Sequence, residues 1–224
     1  MLEVRQQSRA RSPRASTAED TVGNQAVDAL KTAFMDALAV FKRLALNPVG
    51  ELPRTYHSLG PQRALGAGIV FGLVFVLCVT VTIVMNPLYK WLLFIQDFVA
   101  VKVFFSSLVP FVTLIAAAFT SRKVASRVET GITGDVFMVG AALLPLGLCV
   151  LIGGIIGWDN IEVIWFLGFL STCVTILMFY SGNIGIAGLT DRAATIAVPV
   201  MLVLSAWLTK VVFKGVFSAI VREI

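Results

Sequence analysis

The sequence predicts an all-α fold, a polytopic transmembrane bundle of about five helices preceded by a cytoplasmic amphipathic helix. Three observations predict it. The chain is 58% hydrophobic and only 14% charged, where soluble domains average about 45–50% and about 25%. Its apolar residues are gathered into runs of about twenty, the length that crosses about 30 Å of hydrocarbon at about 1.5 Å per helical residue. Half of its 18 lysines and arginines precede the first such run, an asymmetry that keeps a leader on the cytoplasmic side.

Residues 1–24 carry Arg5, Arg9, Arg11 and Arg14 among Ser, Ala and Gln, with no aromatic residue. Nothing there offsets the entropy of ordering, so a disordered basic cytoplasmic tail is expected. No apolar stretch or cleavage site of a secretory signal follows the arginines, so the tail is expected to stay attached and inside. Without interleaved aromatic platforms, these charges do not point to nucleic acid. They act as a topological signal, with attraction to anionic lipid as a side effect.

Residues 25–46 read as an amphipathic interfacial helix. Val27, Leu30, Phe34, Leu38, Phe41 and Ala45 fall on one stripe, while Asp28, Lys31, Asp36, Lys42 and Arg43 fall largely on other faces. Asn24 is placed to cap its start, and Asn47-Pro48 to stop it. With no soluble core available, the stripe Val27, Leu30, Phe34, Leu38 and Phe41 is expected on the membrane surface or against the bundle. Docking of a protein partner is the alternative. Residues 47–64 read as a connector with turns at Pro53 and at Gly60-Pro61.

Residues 65–224 form the expected five-span domain, with spans at about 65–85, 101–120, 136–156, 161–180 and 193–213. The first span ends at Asn86-Pro87. Tyr89, Lys90, Trp91, Phe94 and Asp97 then give the mixed aromatic composition of a membrane interface. Arg122, Lys123, Arg127 and Arg192 fall on the inner side with the N-terminal basic residues. An odd number of spans places the C-terminus, with Lys214 and Arg222, on the outer side, against this bias. A re-entrant last segment or a split fourth span would remove the conflict.

No Asp, Glu, His, Lys or Arg lies in the middle of a span, which argues against a proton-driven or ion-coupled transporter. Ser106, Ser107, Thr113, Ser171, Thr172 and Thr175 lie inside spans with no His or carboxylate placed to act as a base. A pore lined by hydroxyls and carbonyls stays open. Gly182, Gly185 and Gly188 read as a glycine-rich turn without the context of a phosphate-binding loop. His57 stands alone, and Cys78, Cys149 and Cys173 all fall in apolar runs, so neither a metal site nor a disulfide framework is implied. No catalytic residue, cofactor or metal is expected.

The remaining candidates are structural. Pro110, Pro145 and Pro199 occupy the middles of three spans. Each frees a carbonyl near the bilayer centre and produces a kink, or a binding site built from broken helices. Gly68 with Gly72, and Gly153 with Gly157, form G-x-x-x-G pairs suited to packing within the bundle or to dimerisation.

The segment LALNPVGELPRTYHSLGPQRAL before the first span, GAALLPLGLCVLIGGIIG in the third and the small-residue-rich fourth and fifth spans resemble the Yip1-domain family of polytopic membrane proteins. The resemblance covers roughly residues 41–213, and its most specific pieces are Gly60-Pro61 and Leu143-Leu144-Pro145-Leu146. It implies five spans, a cytoplasmic N-terminus and a C-terminus on the other side. Eukaryotic relatives are linked to vesicle traffic and prenylated Rab-type GTPases through their N-terminal segment. His57-Ser58-Leu59 stands where those relatives carry acidic and tyrosine residues. The chain thus looks more like prokaryotic members, and the GTPase partnership is not carried over. The expected function is that of a non-enzymatic integral membrane scaffold or interaction protein in membrane organisation or trafficking-like processes. The alternative is a permease or channel component with its site at the mid-span prolines. The expected partners are the lipid bilayer, a protein met through the N-terminal segment, and a second copy or other subunit of a membrane complex.

Overall fold

In lipid, backbone polar groups must find partners within the protein, and a helix supplies them within each segment. In the computed structural model, residues 16–85, 100–125, 131–156 and 160–222 are described. Seven helices account for nearly all of them: α1 (Ser16–Leu46), α2 (Pro48–Leu59), α3 (Pro61–Met85), α4 (Ala100–Ala125), α5 (Ile132–Ile156), α6 (Ile161–Gly185) and α7 (Asp191–Arg222). The tail up to residue 15, the aromatic connector 86–99 and the turn containing Gly157 lie outside the described residues.

The five helices α3 to α7 carry segments long and apolar enough to cross a membrane. The protein is therefore a multi-pass membrane protein with an all-α fold. Several helices extend past the apolar runs at the end of the bundle that carries α1 and α2, here called the hairpin end. A helix stops where its backbone is capped or broken, not where its hydrophobicity ends.

α5 is the hub, buried without interruption from Gly134 to Leu144. It runs parallel to α3, and the two are held at close range by small residues one heptad apart on α5. A Cβ on Gly140 would stand 2.1 Å from the Gly68 carbonyl oxygen. One on Gly147 would meet Phe75 at 3.1 Å, and one on Gly154 would meet Thr82 at 2.6 Å. At Gly68 itself the missing Cβ would lie 2.6 Å from the Phe137 Cα. Backbone touches backbone here, which is how helices gain contact area in lipid when no hydrophobic effect drives them together. The Thr82 hydroxyl donates both to Cys78 O within α3 (2.8 Å) and to Val150 O across the interface (3.3 Å).

α4 packs on α3 and α5, α6 packs on α5, and α7 lies mainly on α4. Between α4 and α7, the Thr113 hydroxyl bonds Thr209 (2.8 Å) and Ser205 (3.3 Å) and donates back to Pro110 O (3.1 Å). At the hairpin end, Arg122 of α4 grips Asp135 of α5 through its Nε (3.0 and 3.1 Å) and an Nη (2.7 Å). Both side chains are only 3% exposed. Two buried charges with their hydrogen bonds satisfied hold α4 and α5 in register, and loss of either would strand the other.

The α3–α5 contact gives a direct expectation. Gly140→Ala should lower the unfolding midpoint of the detergent-purified protein by the equivalent of about 1–3 kcal/mol. Gly168→Ala, where a Cβ meets nothing within 4 Å among the described residues, should stay within about 0.5 kcal/mol of wild type. Equal midpoints for the two variants would contradict the crossing.

Candidate functional site

The expected connector at residues 47–64 is largely helix. Asn47 caps α2, its Oδ1 accepting from the Gly50 N–H at 3.0 Å, and Pro48 supplies the fixed φ suited to a first helical position. The expected break at Gly60-Pro61 is present, with Gly60 at φ 77°. The expected turn at Pro53 is not, since Pro53 lies inside α2. A proline within a helix leaves the carbonyl four residues earlier without its donor. Here that carbonyl belongs to Val49, and it accepts the Ser181 hydroxyl of α6 at 2.7 Å. The residue that should break the helix thereby creates an attachment point for it.

The end of α6 is shaped to receive α2. Gly182 leaves room for Met138 and Leu52, and Gly185 for Pro53, whose Cβ would lie 2.5 Å from an added methyl. His57 Nε2 meets Gly185 O at 2.9 Å. Gly182 and Gly185 therefore belong to the last turn of α6, and only Gly188, at φ 67°, serves a turn. Tyr56 stacks at a tilt against Phe137, with centroids 5.8 Å apart.

α1 begins at Ser16, so Asn24 lies inside it rather than capping it. Gly23 weakens the helix without ending it. The buried face of α1 is formed by Ala37, Val40 and Leu44, with Ala33 against Gly66 of α3. Asp36 is clamped by Arg63 of α3, whose Nε donates to Oδ2 at 2.7 Å and whose Nη2 donates to Oδ1. These hydrogen bonds hold the Asp36 carboxyl below the usual carboxylate range.

The stripe read from the sequence is the neighbouring face. Val27, Leu30, Phe34 and Leu38 are 63%, 67%, 57% and 45% exposed, and Phe41 alone of the predicted set is partly buried. α1 thus carries two adjacent apolar faces, one on the bundle and one turned outward.

The surroundings of the bundle locate that outward face. The exposed apolar residues of α3 form a line from Ile69 through Leu73, Leu77 and Val81 to Met85, and those of α6 run from Ile161 to Leu177. Each line is about 24 Å long at the helical rise, a few ångströms short of the hydrocarbon core. Nearer the hairpin end, α1 packs on α3 and α2 on α6. The α1–α2 turn reaches the edge of this apolar band. Phe41, Leu44, Ala45 and Pro48 face Ala141, Leu144, Pro145 and Leu148 of α5, with Val174 and Met178 of α6, around an apolar cavity of about 260 Å³. Thr175 bonds Ala142 O at 2.9 Å, so the cavity spans the first turns inside the band.

The other predicted positions scatter. Gly68 lies at the α3–α5 crossing, whereas Gly72 faces the ring of Phe111 on α4. Gly153 meets Ile164 at an ordinary 3.5 Å, and the close approach belongs to its neighbour Gly154. Pro145 lines the cavity, Pro110 abuts the Thr113 hydroxyl cluster, and Pro199 is exposed on the outside of α7. The three prolines thus serve three separate environments. The Arg122–Asp135 pair, the close contacts of the heptad glycines Gly140, Gly147 and Gly154, and the Asp36–Arg63 pair emerge only from the fold. A search for small residues seven apart would have found the glycines.

Two outcomes follow. The lowered Asp36 pKa means that the α1 attachment is fully present above the usual carboxylate range and is lost as pH falls through the lowered value. Hydrogen exchange of α1 amides in vesicles, corrected for intrinsic pH dependence, should therefore hold steady from neutrality to mildly acid pH and rise below it. Asp36→Asn should raise exchange already at pH 7, and unchanged protection would exclude the clamp. The buried Thr55 hydroxyl has no hydrogen-bond partner among the described residues. Thr55→Val should thus leave the unfolding midpoint unchanged or raise it by the equivalent of about 1 kcal/mol.

No known protein family, curated protein or solved structure matches the chain. What its own geometry establishes is a multi-pass membrane protein with five candidate spans and a helical hairpin seated on one end.

Proposed function

We propose that this chain is a non-enzymatic membrane scaffold of the Yip1-like type, which uses the α1–α2 hairpin to engage the cytoplasmic leaflet. The observation that carries the reading is the continuity of the outward stripe of α1 with the cavity at the edge of the lipid-facing band. Val27, Leu30, Phe34 and Leu38 lead along one face to Phe41 and Ala45, which line that cavity. An apolar helix face flanked by Lys31 and Lys42, held at that depth, has the make-up of an interfacial element. The hairpin is fixed by Asp36–Arg63, Ser181–Val49 and His57–Gly185, so it presents its stripe as a rigid surface. The hairpin end is cytoplasmic in this reading, because Arg54, Arg63, Arg122, Lys123 and Arg192 all gather there with Lys31, Lys42 and Arg43. The five spans and the Gly60-Pro61 break support the Yip1-like assignment.

The test places an environment-sensitive fluorophore on Phe34→Cys in a chain with Cys78, Cys149 and Cys173 replaced by alanine, reconstituted in vesicles. Apolar emission, quenched by lipid-borne quenchers, is the expected result. Aqueous emission would remove the leaflet-engaging role. Solute-loaded vesicles containing the wild-type chain should stay tight, and a flux abolished by Pro145→Ala would replace the scaffold reading with a permease.

A further inference from the structure

We infer that the cavity beneath the α1–α2 turn binds one acyl chain of an anionic phospholipid, with the lipid phosphate held by Lys42. The inference rests on the five-span membrane placement and not on the scaffold role of the hairpin.

The side chains of the lining are apolar. Phe41, Leu44 and Ala45 of α1 face Leu144 and Leu148 of α5 and Val174 of α6, and none of these side chains carries a hydrogen-bonding group. A ligand there must itself be apolar along the buried length. At about 260 Å³ the space falls below the about 300–1,000 Å³ of sites for drug-sized molecules, which suits a single narrow chain. The cavity is partly open and lies within the first turns of the lipid-facing band, at the depth of bilayer hydrocarbon. A void lined by apolar groups forfeits dispersion contacts on its empty side, and an acyl chain restores them.

The headgroup follows from the charge next to the lining in sequence. Lys42 is exposed and follows Phe41 directly. It stands four residues after Leu38 and three before Ala45, on the flank of the same stripe. Among the described residues its ammonium makes no ion pair, the pairs being Arg54–Glu51, Arg63–Asp36 and Arg122–Asp135. Lys31 repeats the pattern farther along α1, three residues before Phe34 and four after Val27. An exposed lysine one residue from the lining of an apolar cavity, with no ion pair among the described residues, matches a phosphate joined to a hydrocarbon chain. An extended protein segment would bring backbone amides that these apolar side chains cannot satisfy.

Native mass spectrometry of the full chain, delipidated in detergent and offered phosphatidylglycerol or phosphatidylcholine with identical acyl chains, tests this. Wild type should retain one phosphatidylglycerol, with a preference of about fivefold, the factor one lysine near an anionic surface is worth. Ala45→Phe fills the cavity from an exposed position and should abolish retention of both lipids without lowering the unfolding midpoint. Lys42→Gln should keep retention and remove the preference, whereas Lys210→Gln at the far end should change neither. Retention of no lipid, equal retention of both by wild type, or retention unaffected by Ala45→Phe would overturn the site. So would a dimer that Ala45→Phe dissociates with lipid retention unchanged, which would identify a second copy as the occupant. One bound phosphatidylglycerol together with aqueous emission from position 34 would uphold the site while removing the scaffold reading.

Discussion

The contact of Gly140 with the carbonyl of Gly68 is the constraint from which the arrangement of the other helices follows. Only with both side chains absent can α3 and α5 lie backbone to backbone. That proximity places α5 at the centre, with α3, α4 and α6 around it. It also leaves the hairpin-end faces of α3, α5 and α6 close enough to form a joint seat for α1 and α2.

Polar groups then decide which helix goes where. In an apolar medium an unmatched hydroxyl or carbonyl costs far more than it does in water, so each matched pair acts as an address. Thr175 reads Ala142 O, Thr82 reads Val150 O, and Thr113 finds Thr209 and Ser205. Arg122 and Asp135 join α4 to α5. Ser181 and Val49 O follow the same logic with a backbone defect as the acceptor, because Pro53 prevents α2 from using that carbonyl itself.

The spans were legible because membrane thickness imposes a length that an apolar run displays directly. Their ends at Gly185 and Ile132 were less so, since a helix can outlast its apolar run. α2 was hidden by Pro53. Proline reads as a break from local sequence, and only the Ser181 hydroxyl, distant in sequence, makes it compatible with a helix. The apolar arc of α1 was legible, but not its division. Ala37, Val40 and Leu44 are no more apolar than Val27, Leu30 and Phe34, so only the neighbouring seat determines which half is covered. The glycine spacing was visible as well, but on a period of seven rather than the four of G-x-x-x-G.

The hairpin also makes the protein unequal across the bilayer. Five helices cross both leaflets, while α1 and α2 add their width at one end only. Such a body has a larger cross-section at one headgroup layer than at the other, so a flat bilayer does not fit it evenly. A bilayer whose two leaflets differ in area would match the two unequal ends of this body more closely than a flat one.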